Sequence, residues 1–292
     1  MCTGLRSIVI PPSVTFVEEC LFDGCEGLRS VTLPNTCKAI KIGAFAGCSS
    51  LTDIVIPNSC ETIGYQSFVE CNSLTEINIP ASVTEIEIDD DGTTFMRCRN
   101  LKAIHVDEGN VKYSSLNGVL FNKDRTKLVI FPEGKMEDYT IPNTVECIGV
   151  LAFHQSQLSR VVIPSSIVTI EESAFSFNDW DEGEALKAIY SLNAMPPTCL
   201  LSEYGDTPFR GLPETSATLY VPNEAVEAYK SAEGWKDFQN IVGIDPTGIE
   251  DVKVTGESRK KENVIYDLSG RRLNQPKRGV NIVNGKKVMM NL

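Results

Sequence analysis

Leu51-Thr52-Asp53-Ile54-Val55-Ile56-Pro57-Asn58-Ser59-Cys60-Glu61-Thr62-Ile63-Gly64-Tyr65-Gln66-Ser67-Phe68-Val69-Glu70-Cys71-Asn72-Ser73 is one period of a pattern that decides the fold. Its landmarks recur at an interval of 23 residues. Cys2, Cys25, Cys48 and Cys71 share one slot, Phe22, Phe45 and Phe68 a second, Pro11, Pro34, Pro57 and Pro80 a third. Phe95 and Cys98 continue the series after four extra residues near Glu87–Gly92. A unit this short cannot bury its apolar side alone, so successive copies must stack into a solenoid.

Within the period, Ile54-Val55-Ile56 alternates as a strand does, with two side chains inward and one outward. Pro57 has no N–H to give a ladder and ends the pairing. A second extended piece then sends Cys60 and Ile63 inward, and a turn around Ser67–Cys71 carries Phe68 to the centre. Rings at Phe22, Phe45, Phe68, Phe95, Phe153 and Phe175 are expected to form an aromatic column, each burial worth roughly 1.5–3 kcal/mol.

This pattern resembles the BspA-like leucine-rich repeat family of exported bacterial surface proteins. Leu51-Thr52-Asp53-Ile54-Val55-Ile56-Pro57 and Gly43-Ala44-Phe45-Ala46-Gly47-Cys48 carry the resemblance, which covers residues 1 to about 243. It implies a right-handed leucine-rich-repeat solenoid, β-rich with short helical or 3₁₀ turns, of a kind that binds protein or glycan partners and rarely catalyses, so no enzymatic activity is expected.

Two departures interrupt the repeat. Asp89-Asp90-Asp91 lies in the four-residue insertion and reads as a solvated loop rather than a calcium site, for want of further oxygen ligands. Residues 107–139 form a variant coil. Gly118–Asn122 and Lys127–Phe131 flank Lys123-Asp124-Arg125-Thr126 and predict a hairpin. Beyond Leu186 the coils degenerate. Ala217–Pro222 is expected to be the last strand, Asn223–Lys236 a helix N-capped by Asn223, and Trp235 and Phe238 the cover over the final layer, so residues 198–243 cap the array.

Asp245-Pro246-Thr247-Gly248 predicts a boundary, leaving residues 244–292 as a small β-sheet module. There Asn284-Gly285 signals a tight hairpin between Gly279–Val283 and Lys286–Met290. The stretch Tyr266–Arg272 and Gly279 with Asn284–Val288 resemble a C-terminal sorting or anchoring module of surface-exported proteins. Asn281 departs from that pattern, where an aromatic is usual, and a structural end-domain is the other reading.

Composition narrows the functions. The chain has 292 residues and a net charge of −12. Residues 250–292 carry ten Lys/Arg against five Asp/Glu, a local +5 that leaves −17 on residues 1–249. Such a body repels nucleic-acid phosphates, and nucleic acid is set aside as a partner. No apolar run is long enough to span a membrane as a helix. Cys2–Leu5 aligns with Cys25–Leu28, so the sequence starts inside a repeat and further residues are expected upstream. The ten cysteines read as reduced core thiols, because the slot of Cys37 and Cys60 holds Val14, Val83, Val145 and Ile167 in other copies; a cross-coil disulfide is the other reading, since stacked coils lie ~4.8 Å apart. No zinc-ligand spacing occurs, only His105 and His154 are present, and neither a metal nor a cofactor is expected.

The outward strand positions offer the candidate binding surface: Val9, Thr32, Val55, Asn78, His105, Thr140, Val162 and Tyr190, flanked by Ser7, Ser30, Asp53, Glu76, Ala103, Asp138, Arg160 and Ala188. Thr32, Val55, Asn78, His105, Val162 and Tyr190 are taken as the ligand-binding set, on a protein expected to be monomeric and to act outside the cell or on its outer surface. The other reading is a structural or self-associating envelope scaffold, since Val and Thr favour strands whatever they face. Catalysis finds no support: Glu171-Glu172, Asp179 and Asp181-Glu182 sit in turns, with no nucleophile–base arrangement or phosphate loop nearby.

Overall fold

The computed structural model describes residues 2–89, 92–177, 186–212 and 217–245, together with the backbone of four strands beyond. The chain divides into two compact units, Met1–Val252 and Lys253–Leu292.

The first unit is a solenoid whose register follows the sequence interval. One set of parallel strands, the face strands, pairs Ser7–Val9 with Ser30–Thr32 and then with Asp53–Ile54, each partner 23 residues on. A second set, the back strands, pairs Phe16–Val17, Ala39–Ile40, Thr62–Ile63 and Glu85–Ile86 at the same offset. Glu76–Ile79 pairs with Ala103–Val106 at an offset of 27. At the insertion, Ile88–Asp89 runs antiparallel to Gly92–Thr93. The calcium question turns on Asp90 and Asp91, which lie outside the described residues.

Phe22, Phe45, Phe68 and Phe95 stack with centroids 5.3, 5.5 and 5.6 Å apart. The expected column is present but comes in two runs. Phe131, Phe153, Phe175 and Phe209 form the second at 5.0, 4.8 and 5.3 Å, adding two rings that the periodicity did not mark. Two hydrophobic cores match the two runs.

The variant coil lies between these cores. Val119–Asn122 and Lys127–Ile130 form the expected hairpin, and Tyr113–Leu116 adds an unanticipated third strand across Asn117-Gly118. Leu120 and Ile130 join the first core, while Val119, Phe121 and Leu128 join the second. A register shift between Leu120 and Phe121 places Leu128 and Ile130 in different cores. The hairpin continues the back strands of the second half through Cys147–Ile148, Thr169–Ile170 and Thr198–Cys199. It also closes the first half, where the Ile104 N–H donates to the Gly118 carbonyl at 2.8 Å.

At the far end two expectations need correction. Thr218–Pro222 is not the last strand, because Asn240–Ile244 pairs with it in parallel. The helix is shorter than expected: a 3₁₀ turn at Asn223–Ala225 leads into Val226–Ser231, and Asn223 makes no side-chain cap bond. Ala232 is already extended, and Gly234 follows with φ of +80°. A Cβ on Gly234 would come within 2.7 Å of the Cys199 Cβ. That break swings Trp235 inward, where it is fully buried and its Nε1 donates to the Pro197 carbonyl at 2.9 Å.

The second unit contains Ile265–Tyr266, Arg272–Leu273, Gly279–Val283 and Lys286–Met290 as one antiparallel sheet. Val283 pairs with Lys286, the two-residue turn that Asn284-Gly285 predicts. Residues 246–248 of the expected boundary lie outside the described residues.

All ten cysteines are unbridged, six of them buried. Three thiols have a definite task. Cys48, Cys71 and Cys98 each donate to the phenylalanine carbonyl one coil back (Phe22, Phe45 and Phe68) at 3.2, 3.3 and 3.0 Å. Each of these carbonyls also accepts the backbone N–H three residues on, so the thiol adds a second, cross-coil bond that a valine could not make. Burial pushes the Cys48 and Cys60 thiols up to about 12 and raises Cys71 and Cys98 as well.

These thiols give a labelling prediction. Native protein treated with iodoacetamide near pH 8 should modify Cys2 and Cys20 first, as only these two are exposed. The six buried thiols should react only in denaturant, as read by mass spectrometry. The same shifts fix an alkaline limit: raised thiols contribute stability fully present below the ordinary value of 9.0 and lost as pH rises towards 12. Prompt native labelling of Cys71 would contradict this packing.

Candidate functional site

Strand alternation puts the odd member of each Ile-x-Ile triplet on the surface, and the face strands carry most of the expected set there. Thr32, Val55, Asn78 and His105 are exposed, with Val55 72% accessible. Asn78 and His105 are direct partners across the parallel pair Glu76–Ile79 and Ala103–Val106. His105 Nε2 lies 3.6 Å from Glu76 Oε2.

These residues share a groove. Hydrogen-bonded pairing of the face strands stops at Asp53–Ile54 and resumes at Glu76–Ile79. A depression of about 410 Å³ runs across this interruption, lined by Asp53, Val55, Asn58, Glu76, Asn78, His105 and Asp107 among others. Asp107 is held in place, its Oδ1 accepting the Gly109 N–H at 2.8 Å.

The second half behaves differently. Val162 was expected on the binding surface but is only 1% exposed, which removes it from the set. It lies between Thr140 and Tyr190 in the strand register. A short side chain there is overtopped by larger neighbours: Tyr190 on the next strand and Arg160 two residues back, whose guanidinium sits 4.3 Å from the Tyr190 ring centre. Tyr190 is half-buried and stacks on Tyr220 at 4.5 Å. Its ring faces are therefore already engaged. The sequence held the signal for this stack, since Arg160, Tyr190 and Tyr220 all project outward on consecutive strands.

Of the carboxylates weighed for catalysis, Glu171 has a structural use. Glu171 accepts from Lys127 Nζ at 2.7 Å, from the Val150 N–H at 2.9 Å and from the Cys147 thiol at 3.4 Å. That thiol is pushed up to about 11, chiefly by burial. Asp179, Asp181 and Glu182 lie outside the described residues. His154 is buried against Ser176 Oγ at 2.7 Å. Among the described residues no group of three or more His, Cys, Asp or Glu could hold a metal ion, and no helix is long and apolar enough to cross a membrane.

Comparison with known proteins agrees with the coil geometry. A family model described as the BspA type leucine rich repeat region matches six copies over residues 1–122 and 127–182. A leucine-rich repeat protein from Eubacterium ventriosum is 22% identical over 82% of this chain and 66% of its own, with a TM-score of 0.53. A leucine rich cell surface protein from Faecalibacterium prausnitzii is 23% identical over 85% of this chain and 62% of its own, with a TM-score of 0.45. These alignments span just under two thirds of either relative's length. No curated protein sequence matches the chain.

Proposed function

Because this chain belongs to the BspA-type leucine-rich repeat family, we propose that it is a non-catalytic binding protein acting outside the cell or on its surface. It engages an extracellular protein or glycan through the face strands of its first half. The observation that carries this reading is the groove in which Asn78 and His105 stand side by side on rigid strands. Polar groups mounted on a fixed backbone lose little freedom when a partner docks. Exposed Val55 in the same groove supplies apolar area that a protein contact needs.

A screen of the chain against immobilised extracellular proteins and glycans supplies the partner. With it in hand, Asn78→Ala/His105→Ala should weaken binding about tenfold or more, since truncating central interface residues commonly costs over ~1 kcal/mol each. The melting temperature should stay unchanged, because both side chains are exposed. Full affinity in the double variant would rule this face out.

A further inference from the structure

We infer that the groove on the face strands takes a cationic polypeptide segment, a lysine-bearing stretch of a protein partner. This rests on the reading of that face as the binding surface.

The argument comes from how the two sides of the solenoid treat charge. On the back, charged side chains of adjacent coils neutralise each other: Lys38 pairs with Glu61 at 3.0 Å, and Lys41 pairs with Glu18. The groove on the face is treated differently. Asp53, Glu76 and Asp107 open into one groove, and no Lys or Arg is among its lining residues. Among the described residues Asp53 and Asp107 make no ion pair, and Glu76 has only the His105 ring. Carboxylates gathered in a cleft with low-dielectric walls focus a negative potential that draws in positive charge. The −17 carried by residues 1–249 adds to that field at long range.

The shape of the site favours lysine over a small cation. Val55, 72% exposed, forms an apolar shelf in the same groove. A lysine lays its methylene stem along such a surface while its ammonium reaches out to acceptors, here Asp53 and Glu76. Asn78 and Asn58 remain to bond the peptide backbone of the visiting segment. An anionic glycan would meet repulsion in the same place.

The test titrates a fluorescent decapeptide of alternating lysine and threonine with the full chain, at about physiological ionic strength to screen weak surface attraction. Asp53→Asn/Glu76→Gln should weaken binding at least about tenfold, or about 1.4 kcal/mol. Glu61→Gln, whose charge Lys38 already neutralises on the back, should change it less than about twofold. Equal affinity for wild type and the double variant, or an equal loss with Glu61→Gln, would overturn the proposal. So would preference for a glutamate counterpart of the peptide or for a sulfated glycan. In those cases the face itself still stands or falls on Asn78→Ala/His105→Ala against the screened partner.

Discussion

Phe68→Ala is expected to remove about 3–5 kcal/mol of stability, the range for deleting a large buried aromatic. Phe68 is fully buried and has a ring on each side, Phe45 at 5.5 Å and Phe95 at 5.6 Å. Its loss opens a cavity in the middle of the run and breaks two stacks, each worth about 0.5–1.5 kcal/mol beyond area. Because each coil meets only its neighbours, the defect is not shared along the array. Phe22 is the internal comparison. It is 6% exposed and stacks only on Phe45 among the described residues. Phe22→Ala should cost roughly half as much. Denaturant titration of both variants measures the difference at unchanged slope. Equal losses would mean that the column is not the cohesive element and that the thiol slots and strand triplets hold the coils together.

This division of labour explains why the face can carry function. Cohesion comes from columns that point inward: the phenylalanines, the thiols that bond carbonyls one coil back, and the apolar residues of each strand triplet. Outward positions are left free of that duty. Val9, Thr32, Val55, Asn78 and His105 follow no common chemistry, although each occupies the same slot in its coil. A surface that varies on a scaffold that does not is well suited to recognition, while the identity of the partner depends on the side chains chosen.

Much of this was legible because one number, the 23-residue interval, fixes the strand register. Ser7, Ser30 and Asp53 pair as their spacing requires, and the 27-residue step to Ala103 locates the insertion. What escaped has physical reasons. Periodicity says which way a side chain points but not what stands over it, so Val162 read as surface until Tyr190 and Arg160 were seen beside it. Left-handed positions two residues either side of the central ring were hidden as well. Gly43 and Gly47 mark them in one coil, but Gln66 and Glu70 adopt the same positive φ in the next. Phe131 and Phe209 joined the second run from coils too irregular to align. The hairpin had left a clue: Val119-Leu120-Phe121 is an unbroken apolar run, the mark of a strand buried on both faces.

Two-sided burial leads to the prediction about how the halves unfold. Leu120 is fully buried in the first core, and Leu120→Ala should cost about 2–5 kcal/mol there. Its neighbours on the same strand, Val119 and Phe121, are packed in the second core. Unravelling the first half therefore pulls on the second through one strand, and the two cores should melt as a single cooperative unit. Trp235 reports on the second half, buried at its far end. A Trp180→Phe background leaves it as the sole indole, since the chain has two tryptophans. In that background Leu120→Ala should shift the Trp235 fluorescence midpoint as far as it shifts loss of hydrogen-exchange protection at Ile40 and Ile63. Both lie in the first core, remote from the substitution in sequence. A Trp235 midpoint that stays put while those amides lose protection would show two independently folding halves, with the hairpin a spacer between them rather than a shared wall.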